Sequence, residues 1–198
     1  KDFVQTLINT DLDLLFGYGA FPIDEVINDL KKEGATDLTN KLVSILTPTS
    51  LLVEDLFPDK DLVCKIYKEN GIVTFDDFLE DKNENRIDRV TSSADPRTIS
   101  RVKPGITFTG NISLLVFDKS VNKVQKYLEL LTDGMKLLEL TYLGASGSRG
   151  YGRVKFTKIN VILYDTQTNK ESEIGSYGSV DELRKDIQKL IDVIGGKK

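Results

Sequence analysis

Two short stretches of this sequence combine residue types that could bind an anion, and the first is residues 142–156, YLGASGSRGYGRVKF. It holds four glycines, two arginines and one lysine, with no acidic side chain. Glycines let backbone N–H groups approach a phosphate chain closely, and hydroxyl and guanidinium groups add donors. The candidate donors are Ser146, Ser148, Arg149 and Arg153. Tyr151 adds a ring that could stack on a base.

The second stretch is residues 85–105, NRIDRVTSSADPRTISRVKPG. Two arginines, Arg86 and Arg89, precede a turn at Ser92–Pro96, and two more follow it, Arg97 and Arg101. This arrangement predicts a protruding basic hairpin or loop, and cationic side chains on it would grip a nucleic-acid backbone.

The charge of the whole chain is concentrated in these windows. The net charge is −4, yet residues 86–103 carry five basic and two acidic side chains, and residues 144–160 carry four basic and none acidic. The remainder therefore carries −11, and six of the seven arginines lie in the two windows. An acidic protein with two arginine-rich windows is typical of a focused anion site.

Each window also has a plainer interpretation. The glycine-rich stretch could be a solvated connection between a helix and a strand. It lacks the Gly-Lys-Ser/Thr end of a P-loop and the G-x-G-x-x-G spacing of a dinucleotide site. The arginines of the second window could pair with Asp88, Asp95 and the acids at 76–84, as exposed charges commonly do.

The absence of histidine excludes Ser-His-Asp and Cys-His nucleophilic sites and histidine-ligated metals. The acidic pairs Asp76-Asp77 and Glu80-Asp81 match no metal-binding spacing, and we expect them to be solvated. The one cysteine, Cys64, is expected in a core strand and excludes an intrachain disulfide. We expect a cytoplasmic protein, since no apolar run approaches a membrane span of about 20 residues and the start is not typical of a secretory leader.

Periodicity predicts an α+β ferredoxin-like layer. The predicted helices are residues 2–16, 23–32, 37–46, 49–57, 120–143 and 179–194. The predicted strands are 62–68 and 72–78, which form a hairpin around Glu69-Asn70-Gly71, followed by 106–117 and 153–165, with a polar loop at 79–85 and a turn at Asn169.

The two windows together resemble one family. ENRIDRVTSSADPRTISRVKPG followed by LLELTYLGASGSRGYGRVKF is similar to the backbone RAMP (repeat-associated mysterious protein) subunit of the type III-A CRISPR effector, the Csm complex, over about residues 84–165. The resemblance implies a modified RNA-recognition fold with a core of residues 1–19 and 59–198. It also implies a thumb hairpin at 85–105. The helical stretch 20–58 has no match in the family pattern, and we expect it to be a small helical satellite or lid.

The resemblance further implies a ribonucleoprotein of antiviral defence. Copies of the subunit stack along a guide RNA with other Csm subunits, the glycine loop lies near the guide, and the thumb wedges into the duplex of guide and target RNA. Lys1 aligns with the lysine of a Ser-Ser-x-Lys-Gly turn and would also contact RNA. An aspartate with a divalent metal, Mg²⁺ or Mn²⁺, cuts the target in this family. That aspartate precedes the turn, so we expect no catalytic residue and no bound metal within residues 1–198.

Three alternatives remain open from the residues. The chain could be the equivalent backbone subunit of the other type III complex, although the NRIDR and ADPR elements fit the Csm version better. It could be a nucleotide-binding enzyme that uses the glycine loop for phosphates. It could also be a structural interaction module without RNA contact, which would leave the clustered arginines unexplained.

Overall fold

The computed structural model describes residues 11–17, 22–45, 49–117 and 123–194. It mixes helices with antiparallel strands, which confirms the predicted α+β class. Lys1 and the predicted helical turns at 2–10 lie outside the described residues. The chain divides into two compact units, residues 1–52 with 113–198 and residues 53–112. The assignment of residues 20–58 as a lid stays a prediction.

The elements follow one another along the chain in a mixed order. The helices are α1 Asp11–Phe16, α2 Ile23–Lys32, α3 Thr36–Ile45, α4 Lys60–Asn70, α5 Val124–Leu140, α6 Val180–Lys185 and α7 Ile187–Ile194. The strands are β1 Leu51–Val53, β2 Phe57–Pro58, β3 Leu79–Ile87, β4 Ala94–Val102, β5 Phe108–Thr109, β6 Ile112–Leu114, β7 Ile159–Asp165 and β8 Lys170–Tyr177. The described strands pair two by two, as β1 with β6, β2 with β5, β3 with β4 and β7 with β8.

The first unit is organised around α5. Its apolar side chains recur at helical spacing and place Tyr127, 2% exposed, against the buried Leu15 and Leu51. Ser179 caps α6, because its hydroxyl accepts a hydrogen bond from the Glu182 N–H at 3.3 Å. The predicted final helix is confirmed in position, but Asp186 divides it into α6 and α7.

Helices α2 and α3 form a small cluster of their own, with Leu30 and Leu42 buried. The bounds of α2 are the predicted ones, and α3 begins one residue earlier than predicted. By contrast, the predicted helix at 49–57 is wrong. That segment forms the two short strands β1 and β2.

In the second unit, the predicted hairpin around Glu69-Asn70-Gly71 is also wrong. The first of its predicted arms is helix α4. Asp59 caps this helix, accepting hydrogen bonds from the N–H groups of Asp61 at 3.0 Å and Leu62 at 3.3 Å. Gly71 ends it with a left-handed backbone, φ +73°. Cys64 consequently lies exposed on a helix and not in a core strand.

Three other predicted segments differ from the structure. The polar stretch 79–85 is a strand within β3 and not a loop. The predicted strand 106–117 is divided into β5 and β6 at Gly110, where a side chain would overlap Leu56. The strand predicted at 153–165 begins at Ile159, and it pairs with β8, which periodicity did not predict; Asn169 lies in the connecting turn with φ +52°, as expected.

No helix in the described parts of the chain is long and apolar enough to cross a membrane.

Candidate nucleic-acid interface

The arginine hairpin, residues 79–102, consists of β3 and β4 in antiparallel register. Glu80 faces Arg101, Glu84 faces Arg97, and Arg86 faces Asp95. Because side chains alternate across a strand, all of these residues share one face of the ribbon. The hairpin that the sequence predicted is therefore present, with longer arms than expected.

The arginines on the arms of this hairpin are paired. Arg97 Nη2 lies 3.0 Å from Glu84 Oε2, and Arg101 Nη2 lies 2.6 Å from Glu80 Oε1. Glu84 also has Lys82 at 3.8 Å, and its side chain is 14% exposed. These cross-strand pairs cancel the charge of the arms, as the plainer interpretation of this window had allowed.

The opposite face of the hairpin is largely exposed, and polar side chains meet across the strands in its middle. Thr98 donates a hydrogen bond to Asn83 at 2.8 Å, and Ser100 donates one to Asp81 at 2.5 Å. Cross-strand hydrogen bonds of this kind hold a strand pair together where apolar contacts are few. They explain why a segment as polar as residues 79–85 forms a strand.

The hairpin tip, residues 86–93, is ordered by one carboxylate. Asp88 accepts hydrogen bonds from the N–H groups of Val90 and Thr91, both at 2.8 Å. These bonds to Thr91 and Val90 lower the pKa of Asp88 below its ordinary value of 3.8, because they favour the charged form. Ser92 completes the turn with φ +56°.

The tip presents cations and aliphatic side chains together. Arg86 and Arg89 are exposed, and neither forms an ion pair with a residue that the structure describes. Ile87 is 66% exposed and Val90 is 92% exposed. The turn lies at 88–93 and not at Ser92–Pro96, so Arg89 belongs to the turn and not to an arm.

The glycine loop, residues 142–153, is a closed loop that follows α5. The Leu143 N–H donates to the Gly152 carbonyl at 2.8 Å, which joins its two ends. Gly144, Ser146, Gly150 and Gly152 all have positive φ. At Gly152 a side chain would overlap the Leu143 carbonyl, so only glycine permits this closure.

The structure corrects the expected role of Tyr151. Its side chain is 6% exposed, so its ring belongs to the core and offers no face to a base. Tyr142, at the other end of the loop, is 45% exposed. Sequence reasoning missed Tyr142, although an aromatic residue at the end of a predicted helix and beside a basic loop was an available signal.

Two cations at the end of the glycine loop and just after it, Arg153 and Lys155, differ from the arginines of the hairpin arms. Arg153 and Lys155 are exposed and form no ion pair within the described parts of the chain, while Val154 and Phe156 between and after them are half-buried. The Phe156 N–H donates to Glu139 Oε1 at 3.0 Å, which fixes this alternation to the end of α5. Ser146 and Ser148 lie on the loop itself, and the short turn Gly147–Arg149 follows Ser146.

The described residues offer no group of three or more Asp, Glu or Cys side chains that could hold a metal ion. No residue among those described is assigned to the divalent metal that the resemblance implies, and no chemical step is derived through it.

Comparisons with known proteins agree with the resemblance. The family described as the RAMP superfamily matches residues 22–155. A protein of Streptococcus thermophilus named "CRISPR system Cms endoribonuclease Csm3" is 43% identical over 98 residues, which cover 48% of this chain and 44% of that protein. Its namesake from Methanocaldococcus jannaschii is 33% identical over 156 residues, 74% of this chain and 58% of that protein.

A third relative of the same name, from Methanothermobacter thermautotrophicus, is 34% identical over 137 residues, 67% of this chain and 53% of that protein. The chain thus spans about half the length of the curated relatives it matches. The superfamily match covers well over half of the chain, and it contains both the arginine hairpin and the glycine loop. The chain therefore belongs to the RAMP superfamily.

Proposed function

We propose that this chain is part of an RNA-binding backbone subunit of a type III-A CRISPR effector. In this proposal the glycine loop binds the guide RNA and the hairpin tip inserts into the duplex of guide and target RNA. The observation that carries the proposal is the tip, where Arg86 and Arg89 have no described ion partner beside the exposed Ile87 and Val90.

The chemistry of the tip suits a wedge. Proteins that separate base steps insert an aliphatic side chain between the bases and place cations against the adjacent phosphates. Val90, at 92% exposure, has no other packing in this unit. The Asp88 turn presents Val90 and Arg89 in a fixed conformation, which lowers the entropy lost on binding.

The chemistry of the glycine loop suits a single strand. Residues 144–160 hold four cations and no acid, a composition that favours attraction of a phosphate chain. The loop has no P-loop lysine. This composition supports RNA binding over the nucleotide-binding alternative.

The partners and the cleavage belong to the same proposal. The names of the relatives describe an endoribonuclease of a CRISPR system. By that likeness we propose that the whole protein stacks with further copies of itself and other Csm subunits, and cuts target RNA with Mg²⁺ or Mn²⁺. We assign no cutting residue within residues 1–198.

The test replaces residues 88–93 with Asn-Gly in the assembled complex. A two-residue Asn-Gly turn keeps the Ile87–Ala94 register, because it matches the twist of paired strands. It removes Arg89 and Val90 together with the rest of the turn, residues 88–93, and keeps Arg86 and Ile87 at the end of β3. We expect guide RNA of discrete length to co-purify as before, and the regular interruptions in nuclease footprints of the guide–target duplex to disappear.

A matched control changes Lys31 and Lys32, exposed on α2, to glutamine. This control should leave both the guide and the footprint unchanged. A preparation without any co-purifying RNA, or a footprint that is uniform both with and without the tip, would refute the proposal.

A further inference from the structure

The most informative cavity lies where α5 meets the glycine loop. This Tyr142 concavity is open and encloses about 400 Å³, within the range of small-ligand sites. Its lining includes Leu140, Tyr142, Ser146, Gly147, Ser148 and Arg153. Aliphatic, aromatic, hydroxyl and cationic groups therefore meet in one place, all within the first unit.

The ring of Tyr142 is held in position by a glycine. A Cβ atom at Gly147 would overlap three atoms of the ring, so the ring lies directly on the Gly147 backbone. Gly147 has no positive φ, and the space for the ring is therefore the reason that a side chain is excluded there. One part of the ring is covered in this way, while 45% of the residue stays exposed.

The polar groups around the ring are available to a ligand. The hydroxyls of Ser146 and Ser148 and the guanidinium of Arg153 form no hydrogen bond or ion pair with any described residue. Thr141 does not contribute, because its hydroxyl donates to the Leu137 carbonyl at 2.6 Å.

We propose that the Tyr142 concavity binds one nucleotide of single-stranded RNA, with its base stacked on Tyr142. Arg153 then contacts a flanking phosphate, and Ser146 and Ser148 lie within reach of the sugar hydroxyls. A site for phosphate alone would not need an exposed aromatic ring beside an aliphatic side chain, and a free aliphatic ligand would not need the cation. The proposal rests on the proposed function and adds a base contact to a surface otherwise argued from phosphates.

The first test uses the absence of tryptophan from the chain. In a Tyr142→Trp variant the only indole lies in the concavity, and stacking on a base should quench its fluorescence. We compare oligoadenosine RNA with a ribose-phosphate oligomer of the same length that carries no bases. Quenching by the first and not by the second is expected.

The second test measures affinity for oligoadenosine. Tyr142→Phe should bind as the unchanged protein does, whereas Tyr142→Ala should bind about 5- to 100-fold more weakly, as expected for the loss of one stacked base. Neither change alters the charge, so the dependence of affinity on salt should stay the same in both variants.

The third test distinguishes displacement of the Tyr142 ring from strain in the backbone of the loop. Gly147→Ala displaces the Tyr142 ring without backbone strain, and it should reduce both the affinity and the quenching. Gly150→Ala is the matched control, since Gly150 has φ +82° but open space around it. This control strains the loop without touching the ring, and it should affect oligoadenosine and the base-free oligomer equally.

The outcomes distinguish the two proposals. Equal affinity for both oligomers, with Tyr142→Ala unchanged, would overturn the nucleotide site and leave the RNA-binding function standing on phosphate contacts. Failure of the unchanged protein to bind either oligomer would overturn both.

Discussion

The arginine hairpin and the glycine loop carry similar positive charge in the sequence, but they differ in whether acidic side chains neutralise that charge in the structure. The arms of the hairpin place Arg97 and Arg101 opposite glutamates, with N–O distances of 3.0 and 2.6 Å. The segment from the glycine loop to Lys155 contains no acid, and Arg153 and Lys155 have no ion partner among the described residues. Equal local charge therefore does not mean equal capacity to bind RNA.

The difference arises because strand pairing brings together residues that are far apart in the sequence. The acids that neutralise Arg97 and Arg101 lie 13 and 21 residues earlier in the chain, outside the basic window 86–103. The antiparallel register of β3 and β4 places these acids opposite the two arginines. In a closed loop the chain neighbours are also the spatial neighbours, so composition there is a better guide to the surface charge.

The largest expected effect is the difference between two double variants, each of which removes two positive charges from one of the two regions. Arg153→Gln with Lys155→Gln should weaken binding of short single-stranded RNA on the order of tenfold and flatten the log–log salt slope by about 1.4, since each lost phosphate contact removes about 0.7. Arg97→Gln with Arg101→Gln removes the same charge but should leave the slope unchanged. Fluorescence anisotropy over a range of salt concentrations measures both quantities. Equal slopes for the two variants would remove the distinction between the regions.

Removal of the two positive charges of the hairpin tip should have an effect of intermediate size on RNA binding. Arg86→Gln with Arg89→Gln should have little effect on binding of single-stranded guide RNA, because in the proposed function the tip contacts the duplex of guide and target RNA. It should weaken capture of target RNA by the guide-loaded complex several-fold, since two charge-assisted contacts are lost. A filter-binding assay with labelled target measures this. Equal losses for guide and target would assign the tip to general backbone binding.

A smaller effect concerns the stability of the hairpin. Arg97→Met should destabilise the arms by about 1 kcal/mol, because Glu84 loses its main partner while Lys82, 3.8 Å away, compensates in part. Arg86→Met is the matched control and should cost nothing measurable, as Arg86 has no described ion partner. Amide hydrogen exchange of β3 and β4 reports the difference, and equal protection in the two variants would contradict it.

The smallest effect is that of pH on the tip. The lowered pKa of Asp88 means that the folded turn favours the carboxylate, so its contribution is complete above the ordinary value of 3.8 and is lost as the pH falls through the folded pKa. NMR titration should place the Asp88 midpoint below 3.8, with faster exchange of the Val90 and Thr91 amides below it. Asp88→Asn should remove this pH dependence. A midpoint at or above 3.8 would show that the turn does not depend on the charge.

Sequence reasoning succeeded where the local signals agreed. The bounds of α2 follow from Pro22 before it, acids in its first turn and lysines in its last. The apolar spacing of α5 and the Ser179 cap of α6 predicted both helices, although α5 ends at Leu140 and not at residue 143 as predicted. The resemblance supplied the family, which no single periodicity did.

It failed where one residue has two structural uses. Asn70-Gly71 is typical of a hairpin turn, but Gly71 is equally suited to end a helix, and Asp59 twelve residues earlier was the overlooked start. Residues 79–85 contain too few apolar side chains to be recognised as a strand, since cross-strand polar bonds hold them. Tyr151 is buried and Tyr142 is exposed. Sequence reasoning did not predict this, because burial depends on packing against elements that the loop composition does not describe.

The exposed position of Cys64 gives the protein a convenient spectroscopic handle. It is the only thiol in the sequence, and it lies on the surface of α4 in the unit that carries the arginine hairpin. A maleimide dye would attach there without any engineered cysteine. A change in the emission of such a dye on addition of RNA would report whether RNA contacts the surface around α4.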